Sequence, residues 1–170
     1  LDFSHGVAGP FGTMLLADLG ADVVKIEKPG RGDVSRFMNM SARFGKDIPR
    51  SGGDYFLTVN RGKRCLALDL AVPEGQAIAL NLGKWADLVV QSFRPGVMDR
   101  LGVGYEVLKK VNPKVISCSI SSYGQTGPYR ERPGFDSNIQ AISGRMSLTW
   151  EKGRLPLRSP GIADLGAAMA

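Results

Sequence analysis

Short apolar runs of strand length alternate along this chain with stretches whose apolar positions recur at helical spacing. In "GPFGTMLLADLG", Met14, Leu15, Ala17 and Leu19 supply the apolar positions of a helix, Pro10 suits its first turn and Gly20 ends it. "DVVKIE" follows as a strand, and "LDFS" reads as the end of an earlier one that has lost a residue or two. The chain therefore opens as a strand-loop-helix-strand unit. From Gly30 to Gly53 no period is sustained, which suggests a long loop or short helices. Order returns with "RCLALDL" as a strand, "PEGQAIALNLGKWA" as a helix opened by Pro73 and Glu74, and "DLVVQSF" as a strand. "YEVLKKVNP" then reads as a short helix and "KVISCSIS" as a further strand. The run "SISSYGQTGPYRERPGFDSNIQAISG" leaves that strand through a turn-rich loop and enters a helical pattern.

Alternating strand and helix argues for the α/β class, a Rossmann-like parallel sheet with crossover helices whose ligands bind where loops leave the carboxyl ends of the strands. Composition agrees with one globular domain: 170 residues, 43% hydrophobic and 22% charged. Runs such as "LVV" and "AIAL" fall far short of the roughly 20 apolar residues that span a bilayer, and "LDFSHGVAGP" has no signal-peptide character. The expectation is a cytoplasmic protein with no membrane partner. Cys65 and Cys118 lie in strand-like runs with no CxxC spacing and no adjacent His, so they are expected as buried reduced thiols, with no metal site. The 22 Lys and Arg exceed the 16 Asp and Glu, but they are scattered through loops beside Gly or Pro ("KPGRGD", "NRGKR", "FRPG", "YRERPG"). That distribution suits a multiply charged small ligand better than nucleic acid.

Four features bear on chemistry. Gly6, Gly9 and Gly12 precede the first helix and Glu27 ends the second strand, a partial dinucleotide-binding pattern whose spacing is GxxGxxG rather than GxGxxG. His5, the single histidine, stands beside this turn at a strand end, as lining of a ligand site or as a base. Asp136 opens a helical pattern, where it lines the site or complements the helix dipole. Asp164 sits in "PGIADLGAAMA", where it either caps the helix that "LGAAMA" begins or acts as a reagent. Its small neighbours Gly161, Ala163, Gly166, Ala167 and Ala168 leave room for a bulky ligand to approach the backbone.

Taken together, "AGPFGTMLLADLGADVVKIEKPGRGD", "NRGKRCLALDL" with "PEG", "ADLVVQSFRPGVMDRLGVGYEVL", "NPKVISCSISSYGQTGPYRERPGFD" and "GIADL" resemble the class III CoA-transferases. That family includes formyl-CoA and carnitine CoA-transferases, with α-methylacyl-CoA racemase among its relatives. The resemblance covers essentially all of 1–170 and implies the N-terminal part of the large domain. It further implies a smaller second domain, a glycine-rich loop over the site and an interlocked homodimer, all carried by sequence beyond Ala170.

The resemblance also assigns roles. Asp164 matches the carboxylate that attacks the acyl-CoA thioester, so CoA would pass from an acyl-CoA to a small carboxylic acid through covalent intermediates, with coenzyme A as substrate and no permanently bound cofactor. Val7 and Ala8 match a turn that contacts CoA, and Lys28 a basic residue that reaches its phosphates. Leu68, Asp69, Leu70 and Ala71 match a strand end that cradles the adenine. Ser92, Phe93 and Arg94 match a further contact, Arg100 a phosphate-binding arginine, and Arg132, Pro133, Gly134 and Phe135 the segment near the thioester. Lys28 lacks the bidentate fork of an arginine, and Pro133 replaces a lysine of some members. Racemases of the family carry His before the Asp matched by Asp136; here the residue is Phe135, which favours transfer over the alternative, a racemase. A non-catalytic nucleotide-binding module is the third reading.

Overall fold

In a computed structural model, residues 1–38 and 53–170 are described; most of the aperiodic stretch anticipated between Gly30 and Gly53 lies outside them. The elements run α1 (Ala8–Asp18), β1 (Val23–Glu27), a 3-10 turn (Val34–Phe37), α2 (Asp54–Val59), β2 (Lys63–Ala67), α3 (Pro73–Gly83) and β3 (Leu88–Gln91). They continue with α4 (Val97–Arg100), α5 (Tyr105–Val111), β4 (Ile116–Ser119), α6 (Asp136–Ile142), a second 3-10 turn (Arg145–Thr149) and α7 (Ile162–Met169). Each strand and long helix read from the apolar pattern is present. The short α2 and α4 have no sustained period and were not anticipated.

β1 pairs with β2 and β3 with β4, both in parallel. The N-terminal segment joins the two pairs: Asp2 bridges Lys25 on one side and Val90 on the other, also in parallel, through Asp2 N–H to Val24 O, Ile26 N–H to Asp2 O and Phe3 N–H to Val90 O, each 2.8 Å. The sheet order is thus β2, β1, the N-terminal segment, β3, β4, with the chain's first strand at the centre. One face carries Phe3, Ile26 and Val89 into a core with Ala79 of α3 and Leu108 of α5. The other carries the row Cys65, Lys25, Asp2, Val90, Cys118 beneath α1, whose Thr13 hydroxyl donates to Asp2 Oδ2 at 2.7 Å. That row corrects the expectation for the cysteines. Both are reduced but exposed, because they occupy the two edge strands of a face on which α1 covers only the middle.

Asp2 and Lys25 are fully buried, in positions where an unpaired charge is prohibitive. They survive as a network. Asp2 accepts from Ser4 N–H at 2.8 Å, from the Ser4 hydroxyl, from Thr13 and from Lys63 Nζ at 3.0 Å. Lys25 Nζ donates to Ser4 O at 2.6 Å and lies 2.8 Å from Asp33 Oδ2. Lys63 Nζ also donates to Pro10 O and Asn60 Oδ1. Burial alone would raise the Asp2 pKa; Lys25 and Lys63, helped by Ser4 and Thr13, outweigh it and hold the carboxyl below its ordinary range. Two carboxylates and two ammonium groups are therefore neutralised in place.

Removing one member strands the others. Lys25→Met in the full-length protein is expected to cost about 3–5 kcal/mol in urea unfolding, whereas Arg64→Ala, which breaks an exposed pair with Asp22, should cost no more than about 1 kcal/mol. Equal losses would remove the network from its structural role.

Candidate functional site

Five strand ends point the same way, and the segments singled out in the sequence follow them. The crevice between the central segment and β3 is where the strand order reverses, the place at which sheets of this kind bind ligands. His5 and Ser92 meet there. Ser92 Oγ accepts from His5 N–H at 2.9 Å and donates to His5 O at 3.2 Å, and the His5 ring packs on Phe93 with centroids 5.2 Å apart. His5 is exposed overall, yet its ring is partly shielded, and desolvation lowers its pKa against the pull of Asp33. Buried Gln91 fixes the β3 end by accepting from Phe93 N–H at 2.6 Å.

The turn at Val7 and Ala8 is held from below by the charge network. Asp33, whose Oδ2 pairs with Lys25, accepts Gly6 N–H on Oδ1 at 3.0 Å, along with the Ser35 N–H and hydroxyl at 2.8 Å each. At the β2 end, Leu68 N–H donates to Glu27 O, Asp69 Oδ1 accepts from Ala71 N–H, and Leu70 O accepts from Gln76. Lys28, Arg94 and Arg100 are exposed, and among the described residues none has an ion-pair partner. Arg132 lies over the Tyr129 ring at 4.0 Å, next to Pro133, half-buried Gly134 and exposed Phe135.

The dinucleotide reading fails on its own residues. Glu27 is committed to Arg36, whose Nε and NH2 donate to its two oxygens at 2.7 Å each, and it also accepts Asp33 N–H. Gly9 and Gly12 lie inside α1, not in a phosphate loop. A Cβ at Gly12 would come within 3.2 Å of Ala168 O, so this glycine serves the close packing of α7 on α1 at Ala168. Gly166 has open space where a Cβ would stand, and Ala167 beside it is exposed.

Asp164 is no cap. α7 starts one turn before "LGAAMA", with Gly161 at φ +64° as its N-cap and Asp164 in its first turn, making no capping bond from its side chain. The capping carboxylate comes from elsewhere: Asp136, first residue of α6, accepts Ala163 N–H at 2.8 Å and Asp164 N–H at 3.2 Å on Oδ1. Asp136 therefore does more than complement its own helix. It satisfies two amide donors that α7 cannot satisfy itself, and it sets a second negative charge beside Asp164. Desolvation first, and then the charge of Asp136, push the Asp164 pKa up to about 6. The capping partnership was invisible in the sequence, since 28 residues separate its members. Among the described residues, no helix is long and apolar enough to cross a membrane.

The sequence and the fold both match known proteins. The model of CoA-transferase family III matches residues 1–170, and the chain belongs to that family. It is 44% identical to the acetyl-CoA:oxalate CoA-transferase of Acetobacter aceti, over 97% of this chain and 41% of that protein. It is 40% identical to the succinyl-CoA:glutarate CoA-transferase of Homo sapiens, over 96% of this chain and 36% of that protein. A solved CAIB/BAIF family protein from Brucella suis superposes with a TM-score of 0.87 at 39% identity, covering 96% of this chain and 43% of that one. The chain thus spans about two fifths of the length of these relatives.

A carboxyl with a raised pKa weakens the fold at neutral pH. Asp164 binds its proton more tightly folded than unfolded, so its contribution is fully present below the ordinary pKa near 4 and lost as pH rises through about 6. In the full-length protein, Asp164→Asn should therefore be more stable than the parent at pH 7 and indistinguishable from it below about pH 4. Urea unfolding across that range checks this, and a neutral-pH loss would contradict it.

Proposed function

We propose that the protein of which this chain is part transfers CoA from an acyl-CoA to a carboxylic acid, with Asp164 as the nucleophile. The observation that carries the reading is the pair formed by Asp164 and Asp136. A carboxylate kept half-buried beside a like charge is poorly solvated, and relieving that state by forming a neutral acyl derivative favours attack on a thioester. Its pKa, about 6, still leaves it ionised at neutral pH.

Atoms balance over two anhydrides. The Asp164 oxygen attacks the acyl carbonyl, the C–S bond breaks, and CoA leaves as thiolate. The thiolate attacks the aspartyl carbonyl of the mixed anhydride, and the donor acid departs with the bridging oxygen. The acceptor carboxylate then attacks the aspartyl-CoA thioester, and the released thiolate takes the acceptor acyl group, restoring Asp164. The first turn of α7 holds the carboxyl throughout, its Ala163 and Asp164 amides being fixed by Asp136.

CoA would lie along the strand ends. Val7 and Ala8 form the turn under it, Leu68 to Ala71 face its adenine, and Ser92, Phe93 and Arg94 border it at the crevice. Unpaired Lys28 and Arg100 suit its phosphates, and Arg132 to Phe135 run toward the thioester, with His5 and Asp136 lining the site. The relatives' names point to short dicarboxylates as acceptors. We further propose a second, smaller domain, an interlocked homodimer and a cytoplasmic location.

Two outcomes follow. With succinyl-CoA, the full-length protein should accumulate an adduct on Asp164 that hydroxylamine converts to a hydroxamate, and Asp164→Asn should abolish CoA exchange while retaining CoA binding. Wash-in of solvent deuterium at the α-carbon with Asp164 unmodified would instead mark a racemase. For the phosphate contacts, Lys28→Ala or Arg100→Ala should weaken CoA by roughly 1–3 kcal/mol and leave a pantetheine thioester unaffected. Equal weakening of both ligands in calorimetry would take these cations away from the phosphates.

A further inference from the structure

Outside the groups already assigned a role, the polar side chain most completely enclosed near the site is Gln140, 1% exposed on the last turns of α6. All of its hydrogen-bonding capacity toward the site is spent on two partners. Its Nε2 donates to Ser159 O at 2.6 Å and its Oε1 accepts Ser159 N–H at 3.0 Å, a closed pair with the backbone ahead of α7. The second Nε2 hydrogen goes to Asp136 Oδ2. Asp136 in turn spends Oδ1 on the amides of Ala163 and Asp164. A chain of contacts therefore runs from the segment before α7, through Gln140 and Asp136, back to the first turn of α7. Two helices and the intervening loop are closed on themselves around one buried carboxamide.

We infer that Gln140 is a positioning residue for the transfer proposed above: anchored to Ser159, its carboxamide holds Asp136 in the rotamer that caps the helix bearing Asp164. A carboxylate on its own would not keep this orientation. Asp136 is only half-buried, and freed of Gln140 it can turn toward water, where it is better solvated. The inference rests on Asp164 being the reacting group, but the contacts do not depend on the reaction. α6 and α7 each carry a single ionisable residue, Asp136 and Asp164. The 3-10 turn packed on α6 carries Arg145, and α1, packed on α7, carries Asp18, which is paired with Arg61.

The test uses the full-length protein and two readouts. One is steady-state exchange of CoA between succinyl-CoA and glutarate across pH, whose acid limb follows protonation of the nucleophile. The other is the pH midpoint for carbodiimide labelling of the peptide containing Asp164, which reads the protonated carboxyl without any turnover. Asp136→Asn removes the like charge and sets the reference, a midpoint shifted to lower pH. Gln140→Leu should shift the midpoint in the same direction, lower kcat on the order of ten- to a hundredfold and leave KM for succinyl-CoA within about twofold. Added to Asp136→Asn, it should shift the midpoint no further. Should Gln140→Leu not fold, Gln140→Met, unbranched and of similar volume, is read in the same two assays. A Gln140 variant with the parent's midpoint and kcat overturns the inference. If the parent exchanges no CoA but the midpoint still moves, the transferase reading falls and the clamp stands.

Discussion

The buried quartet of Asp2, Lys25, Asp33 and Lys63 is the constraint on which the rest of this structure depends. Lys25 stands in the middle of a strand, under a helix, at a position that an apolar side chain would ordinarily fill. With its ammonium spent on Asp33 and Ser4, the strand cannot shift register without leaving two carboxylates unpaired. Asp2 extends the same demand to α1 through Thr13 and to β2 through Lys63. Asp33 extends it upward, to the Gly6 amide beneath the turn of Val7 and Ala8. One electrostatic arrangement thus fixes the sheet register and the geometry of the loops above it. An apolar core of the same volume would hold the strands together but would not define where Gly6 sits.

Much of this was legible in the sequence, for a physical reason. β-Strands buried on both faces read as apolar runs and amphipathic helices as a 3.6-residue repeat, so β1, α3 and β3 could be placed from their side chains alone. Glycine and proline marked their ends. Of the loop cations that suggested a charged ligand, Arg61, Lys63 and Arg64 are instead held by Asp18, Asp2 and Asp22. What escaped was every feature made by pairing across distance. Lys25 within "DVVKIE" looks like a solvated strand residue until Asp33 and Asp2 are placed beside it. Gln140 within "FDSNIQAIS" looks like any polar helix position. Cys65 and Cys118 failed in the opposite sense: their apolar neighbours suggested burial, but edge strands leave one face open. Gly12 suggested phosphate binding and serves helix packing instead, a distinction that depends on where α7 lies.

The same contrast explains Asp164. An acid in the first turn of a helix is unremarkable when solvated, because the helix dipole stabilises its charge. Here the amides of that turn are already taken by Asp136, so the dipole's favourable end is spent on the neighbour and Asp164 keeps only the cost of desolvation and repulsion. A stability loss at one carboxylate is what a covalent nucleophile requires. The buried quartet and the half-buried pair are therefore opposite uses of the same physics: charges compensated in full to hold the sheet, and a charge left partly uncompensated where chemistry is proposed.

The central claim, that Asp164 is acylated and regenerated in each cycle, has a direct isotopic test. Full-length protein is incubated with succinyl-CoA and succinate carrying oxygen-18 in its carboxyl groups, and the peptide containing Asp164 is weighed after turnover. Attack by labelled succinate on an aspartyl thioester, followed by return of CoA to the succinyl carbonyl, leaves one labelled oxygen on the enzyme, so the peptide should gain the mass of a single oxygen-18 substitution at Asp164 in the first cycle. Exchange of CoA into labelled succinate with no oxygen-18 on Asp164 would contradict the account.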